Sequence, residues 1–167
     1  MFDNKDKKWF ALYTKSRAEK KVKERFLQQN IACYLPTQKI LKQWSDRKKW
    51  VDEPLFKSYI FVKIDYVNEY IKVLSTDGVV NFVKIAGKPA TIRDKEIENI
   101  VIALKNKPEI ELVSSSFPKG TEVKVNFGAF KGITGEVVEH HGSNKLLIRI
   151  DTIGQAMLLE LPASFVA

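Results

Sequence analysis

Residues 53–64, EPLFKSYIFVKI, read as a β-strand that is apolar on both sides. A half-buried strand alternates apolar with polar residues. Here Phe56, Ile60, Val62 and Ile64 fall on one face while Leu55, Tyr59 and Phe61 fall on the other. Such a strand belongs in the middle of a sheet, covered by helices on one side and partly by something else on the other.

The neighbouring sequence supplies both sheet and helices. WFALY, residues 9–13, is a short aromatic-rich strand. Ser16 and Glu19 form a Ser-x-x-Glu capping box for a helix over 16–29. In that helix Ala18, Val22 and Phe26 make a narrow inward stripe, and Lys20, Lys21, Lys23 and Arg25 point elsewhere. A strand over 31–40 follows, with Pro36 marking an edge or a bulge. Helices are predicted over 66–75, with Val67, Tyr70, Ile71 and Leu74 on one face, and over 94–104, capped by Asp94, with Ile97, Ile100, Val101 and Leu104 on the buried face. Between them Asp77 and Gly78 make a turn into a strand over 79–85. The sum is an α+β sandwich, an antiparallel sheet flanked by three helices, occupying residues 1–113.

KNKPEIELVSSS, residues 105–116, has the composition of a linker. Its flexible part is placed at 114–117, and a short strand over 109–113 is assigned to the first domain. Beyond it glycines at 120, 128, 132, 135, 142 and 154 separate short alternating runs. That grammar predicts a small all-β, SH3-like barrel over 118–167.

Charge separates the same two parts. Residues 1–63 hold 16 Lys and Arg against 7 Asp and Glu, whereas residues 117–167 hold 5 of each. A front half with all the excess positive charge fits a nucleic-acid-facing surface, or simply a solubilising one. Within it KILKQWSDRKKW, residues 39–50, interleaves five basic residues with Trp44 and Trp50, and Ser45–Asp46 offers a turn. A protruding hairpin of this composition suits phosphate contact with base stacking through Arg47, Lys48 and Lys49. The same composition also suits a solvated hairpin whose tryptophans pack on the domain.

One cysteine, Cys33, excludes an intramolecular disulfide and any multi-cysteine metal site. No apolar run reaches the ~20 residues that span a bilayer, and the N-terminal residues lack a signal peptide's apolar core. A soluble, cytoplasmic, monomeric protein without membrane contact is expected.

GTEVKVNFGAFKGITGEVVE, residues 120–139, resembles a KOW motif, with Gly128 and Gly132 reversing a tight loop and Gly135 permitting close backbone approach. WFALYTKSRAEKKVKERF, EPLFKSYIFVKI, DGVVNFV and KPATIRDKEIENI together resemble the N-terminal domain of the NusG family in order and spacing. The likeness runs from Trp9 through Val166, and its front end is similar to specialised paralogues such as RfaH. It implies a bacterial transcription elongation or antitermination factor that suppresses pausing or termination. The resemblance implies docking on the clamp helices of the largest RNA polymerase subunit through Tyr13, Phe56, Tyr59 and Phe61, with Phe82 and Ile97 as neighbours. Glu69, Tyr70 and Ile71 align with the contact to the opposite pincer, without its hydroxyl and histidine chemistry. Non-template DNA or nascent RNA is implied at Lys15, Arg17, Lys20, Lys21 and Thr76, where Asp77 replaces a basic residue. The barrel is implied to recruit ribosomal protein S10 or the termination factor Rho through Phe130 and Ile133. Its six glycines and its β-branched run at 148–153 favour a barrel over the helical hairpin that RfaH adopts.

An RNA-binding KOW protein of the translation apparatus is the alternative, and it would prefer a basic barrel. Against an enzyme, no nucleophile motif or phosphate-cradling loop is present. The adjacent His140 and His141 are read as turn residues that point to opposite faces, so neither a metal nor a cofactor is expected.

Overall fold

The computed structural model describes residues 7–106 and 108–161. Val166, where the family likeness ends, lies outside them. The chain divides into two compact units between Asp94 and Lys95.

The first unit runs β1 (Lys8–Thr14), α1 (Glu19–Gln28), β2 (Ala32–Tyr34), β3 (Thr37–Gln43), β4 (Lys48–Pro54), β5 (Tyr59–Ile64), α2 (Tyr66–Leu74), β6 (Val79–Phe82), β7 (Lys84–Ile85), β8 (Lys88–Pro89) and β9 (Thr91–Ile92). Its main sheet is antiparallel in the order β2-β5-β1-β6, with β9 also on β1. The doubly apolar strand is therefore internal, as its pattern demands. Pairing of Phe10 with Val62 and of Leu12 with Ile60 sets one face. On that face Phe10, Leu12, Ile60, Val62, Ile64 and Phe82 join Val22 and Phe26 of α1 and Val73 of α2 in one buried cluster. Side chains of β-branched and aromatic residues fill such a half-buried pleat well.

Several local expectations give way to longer-range partners. The capping box does not form: α1 starts at Glu19 behind Ala18, with no side-chain cap. Arg17 instead takes a left-handed φ of 61°, and the Glu19 carboxylate accepts the Ser58 N–H at 2.8 Å. A buried carboxylate thus holds the 55–58 turn beneath the helix. The strand expected over 31–40 splits at Leu35–Pro36, because proline has no N–H for a ladder. Phe56 precedes β5 and packs edge-on to Phe61, centroids 6.3 Å apart, so it sides with Phe61 rather than Ile60. On α2 the buried stripe is Val73 with Tyr66 and Tyr70, and Val67, Ile71 and Leu74 face outward, Val67 at 78% exposure.

The second unit contains α3 (Asp94–Lys105), β10 (Ile110–Ser114), β11 (Thr121–Lys124), β12 (Thr134–His140), β13 (Ser143–Ile150) and β14 (Gln155–Glu160). Its five strands form one antiparallel sheet in the order β10-β14-β13-β12-β11. The segment expected to close the first domain is thus a barrel strand, Ile110 pairing with Leu159 and Ser114 with Gln155. Residues 114–117 do not hang free: the Ser115 N–H reaches the Gly154 carbonyl at 3.1 Å, and the Ser115 carbonyl accepts Arg149 Nη1 at 2.6 Å. Gly128 and Gly132 take φ of 83° and 99° in the β11–β12 loop. A Cβ on Gly135 would stand 2.7 Å from the Leu147 carbonyl oxygen, the close approach that its position in the motif calls for.

Candidate nucleic-acid and protein interfaces

The sheet face opposite the two helices of the first unit is aromatic. Register pairs Tyr13 with Tyr59 and Ala11 with Phe61, which sends both tyrosines and Phe61 to that side. The Tyr13 and Tyr59 rings lie 5.2 Å apart. Tyr13 is 39% exposed and Tyr59 half-buried. Burial, and then the neighbouring Tyr13, push the Tyr59 phenol up from its ordinary pKa. Phe56 and Phe61 are fully buried, Phe61 stacking on Tyr34 at 6.5 Å. Burial raises the Tyr34 phenol to about 12. Of the four aromatics expected at one docking face, Tyr13 and Tyr59 present surface and Phe56 and Phe61 are buried. Phe82 belongs elsewhere: it sits in the helix-side core, edge-on to Phe10 at 5.7 Å and to Tyr66 at 5.3 Å. Ile97 is buried on α3 of the second unit.

On α2, Glu69 and Tyr70 are half-buried and already engaged. Glu69 Oε2 accepts the Asp65 N–H at 2.8 Å, and Tyr70 stacks on Tyr66 at 5.2 Å. The outward residues of this helix are Val67, Ile71 and Leu74.

Positive charge converges where the start of α1 faces the β3–β4 hairpin. Thr37 to Gln43 pairs with Lys48 to Pro54 as a separate two-stranded sheet, and its tip closes through the Trp44 N–H on the Arg47 carbonyl at 2.8 Å. Trp44 and Trp50 are 43% and 63% exposed, so both keep ring surface open to solvent. The Arg47 guanidinium lies 5.7 Å from the Trp44 ring centre. An open groove of about 690 Å³ is lined by Arg17, Lys20, Lys42, Trp44 and Lys57, with Glu19, Asp52 and Glu53 on its walls. Lys15, Lys21, Lys48 and Lys49 are exposed nearby in sequence. The fold therefore brings the helix start and the hairpin, named separately from sequence, to one groove.

Two predicted contacts change. Thr76 is buried, its hydroxyl accepting from Gln29 Nε2 at 3.0 Å and donating to the Lys72 carbonyl, which takes it off the basic surface. Asp77 is exposed but paired: Arg25 Nη1 reaches its carbonyl at 2.8 Å, Arg25 Nη2 its carboxylate at 3.5 Å, and Lys15 Nζ its carboxylate at 3.9 Å. It thus competes with phosphate for two cations.

In the barrel Phe130 and Ile133 are buried, at 6% and 0% exposure, not exposed anchors. Their loop is held by α3: Lys95 Nζ donates to the Gly132 carbonyl at 2.5 Å, and Asn99 exchanges two hydrogen bonds with Thr134, at 3.0 and 3.2 Å. Phe127, on the same loop, is 55% exposed. Nothing local in the sequence marks Asn99, because its partner is 35 residues away. The two histidines do not point to opposite faces. His141 has a left-handed φ of 51°, which ends the strand alternation and returns its ring to 3.9 Å from that of His140.

No described helix is long and apolar enough to cross a membrane. A family model described as transcription termination factor NusG matches residues 7–101. The transcription termination/antitermination protein NusG of Streptococcus pyogenes serotype M3 (strain MGAS315) is 29% identical, with 96% of each chain covered. That of Lactococcus lactis subsp. lactis (strain IL1403) is 31% identical over 93% of this chain and 90% of its own. A solved structure described as domain interaction in Thermotoga maritima NusG superposes with a TM-score of 0.53 at 25% identity, covering 95% of this chain and 96% of that one. With the family model spanning more than half of the chain and relatives matching nearly all of it, the chain belongs to the NusG family of transcription termination/antitermination factors.

Proposed function

We propose that this protein binds elongating RNA polymerase through the aromatic face of its first unit and suppresses pausing or termination. The Tyr13–Tyr59 pair carries the reading: two large aromatics in ring contact, Tyr13 exposed and Tyr59 half-buried, on the same sheet face as the buried Phe61. Paired, partly exposed aromatics are what a protein interface uses as anchors. The clamp helices of the largest polymerase subunit are the partner, and the outward Val67, Ile71 and Leu74 of α2 meet a second polymerase element. The basic groove tracks nucleic acid, non-template DNA or nascent RNA, with Arg17, Lys20, Arg47, Lys48 and Lys49 on phosphates and Trp44 against a base. The neutral barrel recruits a protein, ribosomal protein S10 or Rho, through the β11–β12 loop at Phe127.

A single-round transcription assay tests this. Added protein is expected to shorten dwell at defined pauses, and a charge-removed hairpin (Arg47, Lys48 and Lys49 to Ser) to lose part of the effect. Pausing that is unchanged by saturating wild-type protein would refute the proposal.

A further inference from the structure

We propose that Glu111, His140 and His141 form a divalent metal site of the zinc class that staples the first barrel strand to the β12–β13 hairpin. All three lie within the second unit. Their ligand atoms fall within 4.8 Å of one another, and among the described residues no other group of three His, Cys, Asp or Glu donors converges in this way. His140 Nε2 is 3.3 Å from Glu111 Oε1, so one edge of the triangle is already set.

The backbone turns His141 back towards His140. His140 pairs with Ser143, leaving His141–Gly142 as a two-residue hairpin loop with φ of 51° and 78°. Loops with positive φ at both central residues favour Asn-Gly, Asp-Gly or Gly-Gly. Histidine, like Asn and Asp, enters the left-handed region more readily than most residues, and here it brings an imidazole beside its neighbour's. The Phe117 ring packs edge-on to His140 at 5.5 Å and fixes that imidazole's plane. Two imidazoles and one carboxylate are a borderline donor set that suits Zn²⁺, Co²⁺ or Ni²⁺, and the fourth position remains for water. Donors in a tetrahedral zinc site stand ~3.3 Å apart, which side-chain rotation of these exposed or half-buried groups supplies without moving a strand.

The consequence is mechanical. Among the described residues β10 pairs with β14 alone; a metal bridging Glu111 to the hairpin ties it on a second side.

The test is calorimetric titration of tag-free full-length protein with ZnCl₂, supported by the visible absorption of bound Co²⁺. One equivalent is expected to bind, with affinity weakened at least tenfold by Glu111→Gln and by His141→Asn, and unaltered by Cys33→Ser. Asparagine tolerates the left-handed turn, so His141→Asn removes the imidazole and keeps the loop. Should it nevertheless unfold by circular dichroism, the exposed Glu111→Gln carries the test. Metal is also expected to slow amide hydrogen exchange in β10 of the wild type, and not in either variant. Equal affinity in wild type and Glu111→Gln, or no binding at millimolar Zn²⁺, would overturn the proposal.

Discussion

Replacing Arg149 by alanine isolates what holds the barrel's polar seam. Arg149 Nε and Nη2 donate to the two Glu136 oxygens at 2.6 and 3.0 Å, and Nη1 donates to the Ser115 carbonyl. Glu136 also accepts the Gly120 N–H at 2.9 Å. The side chains are only 18% and 12% exposed, so the variant strands a carboxylate that water barely reaches. Breaking a buried pair costs about 3–5 kcal/mol; residual solvent lowers that to about 2–3 kcal/mol here. A unit of this size holds about 4–10 kcal/mol in all, and the loss corresponds to a fall of about 10–20 °C in Tm. The assay separates the units cleanly. All three tryptophans and all five tyrosines precede residue 95, so tryptophan emission follows the first unit while far-ultraviolet dichroism follows both. A dichroism transition moving down with the fluorescence transition in place is expected. Acid supplies the second arm. The Arg149 hydrogen bonds hold the Glu136 carboxyl below its ordinary pKa. The stability this lends is present above the unfolded value of ~4.3 and lost as pH falls through the folded one. The gap between wild type and variant should therefore narrow below about pH 4. A Tm within about 2 °C of wild type, or a gap independent of pH, would refute the reasoning.

Three further outcomes are expected. Gly135→Ala, whose Cβ meets a backbone oxygen rather than a yielding side chain, should destabilise the barrel by about 2–4 kcal/mol in urea titration. Asp77→Asn removes the carboxylate that pairs Lys15 and Arg25, leaving Arg25 its bond to the residue-77 carbonyl, so single-strand affinity should rise about threefold at low salt with a steeper salt slope, read by fluorescence anisotropy. Burial places the Tyr34 phenol at about 12; in an absorbance titration it should ionise well above the ordinary phenol value of ~10. Because its folded pKa is raised, the stability it lends is complete below ~10 and lost as pH rises through about 12.

Features set by neighbours in sequence were legible. The β3–β4 hairpin followed from Ser45–Asp46 between alternating arms, and the internal position of β5 from residues apolar on both sides. The rest depended on partners far along the chain. Glu19 reads as a capping residue until Ser58, 39 residues away, takes its carboxylate. On α2 two apolar stripes compete, Tyr66–Tyr70–Val73 and Val67–Ile71–Leu74, and only packing chooses between them. Residues 110–114 sit beside linker-like sequence, yet their pairing with β14 assigns them to the barrel. Phe61, expected beside Tyr59 at the docking face, is fully buried, which makes the exposed Tyr13 the better partner for mutation.

The central claim is therefore tested most directly by the affinity of the protein for the isolated clamp-helix fragment of RNA polymerase, measured by biolayer interferometry for wild type and for Tyr13→Ala with Tyr59→Ala. Both side chains keep solvent contact, so the variant should remain folded. Its affinity should fall at least thirtyfold, equivalent to about 2 kcal/mol. Binding within threefold of wild type, in a variant with unaltered dichroism, would contradict the assignment of this face to the polymerase.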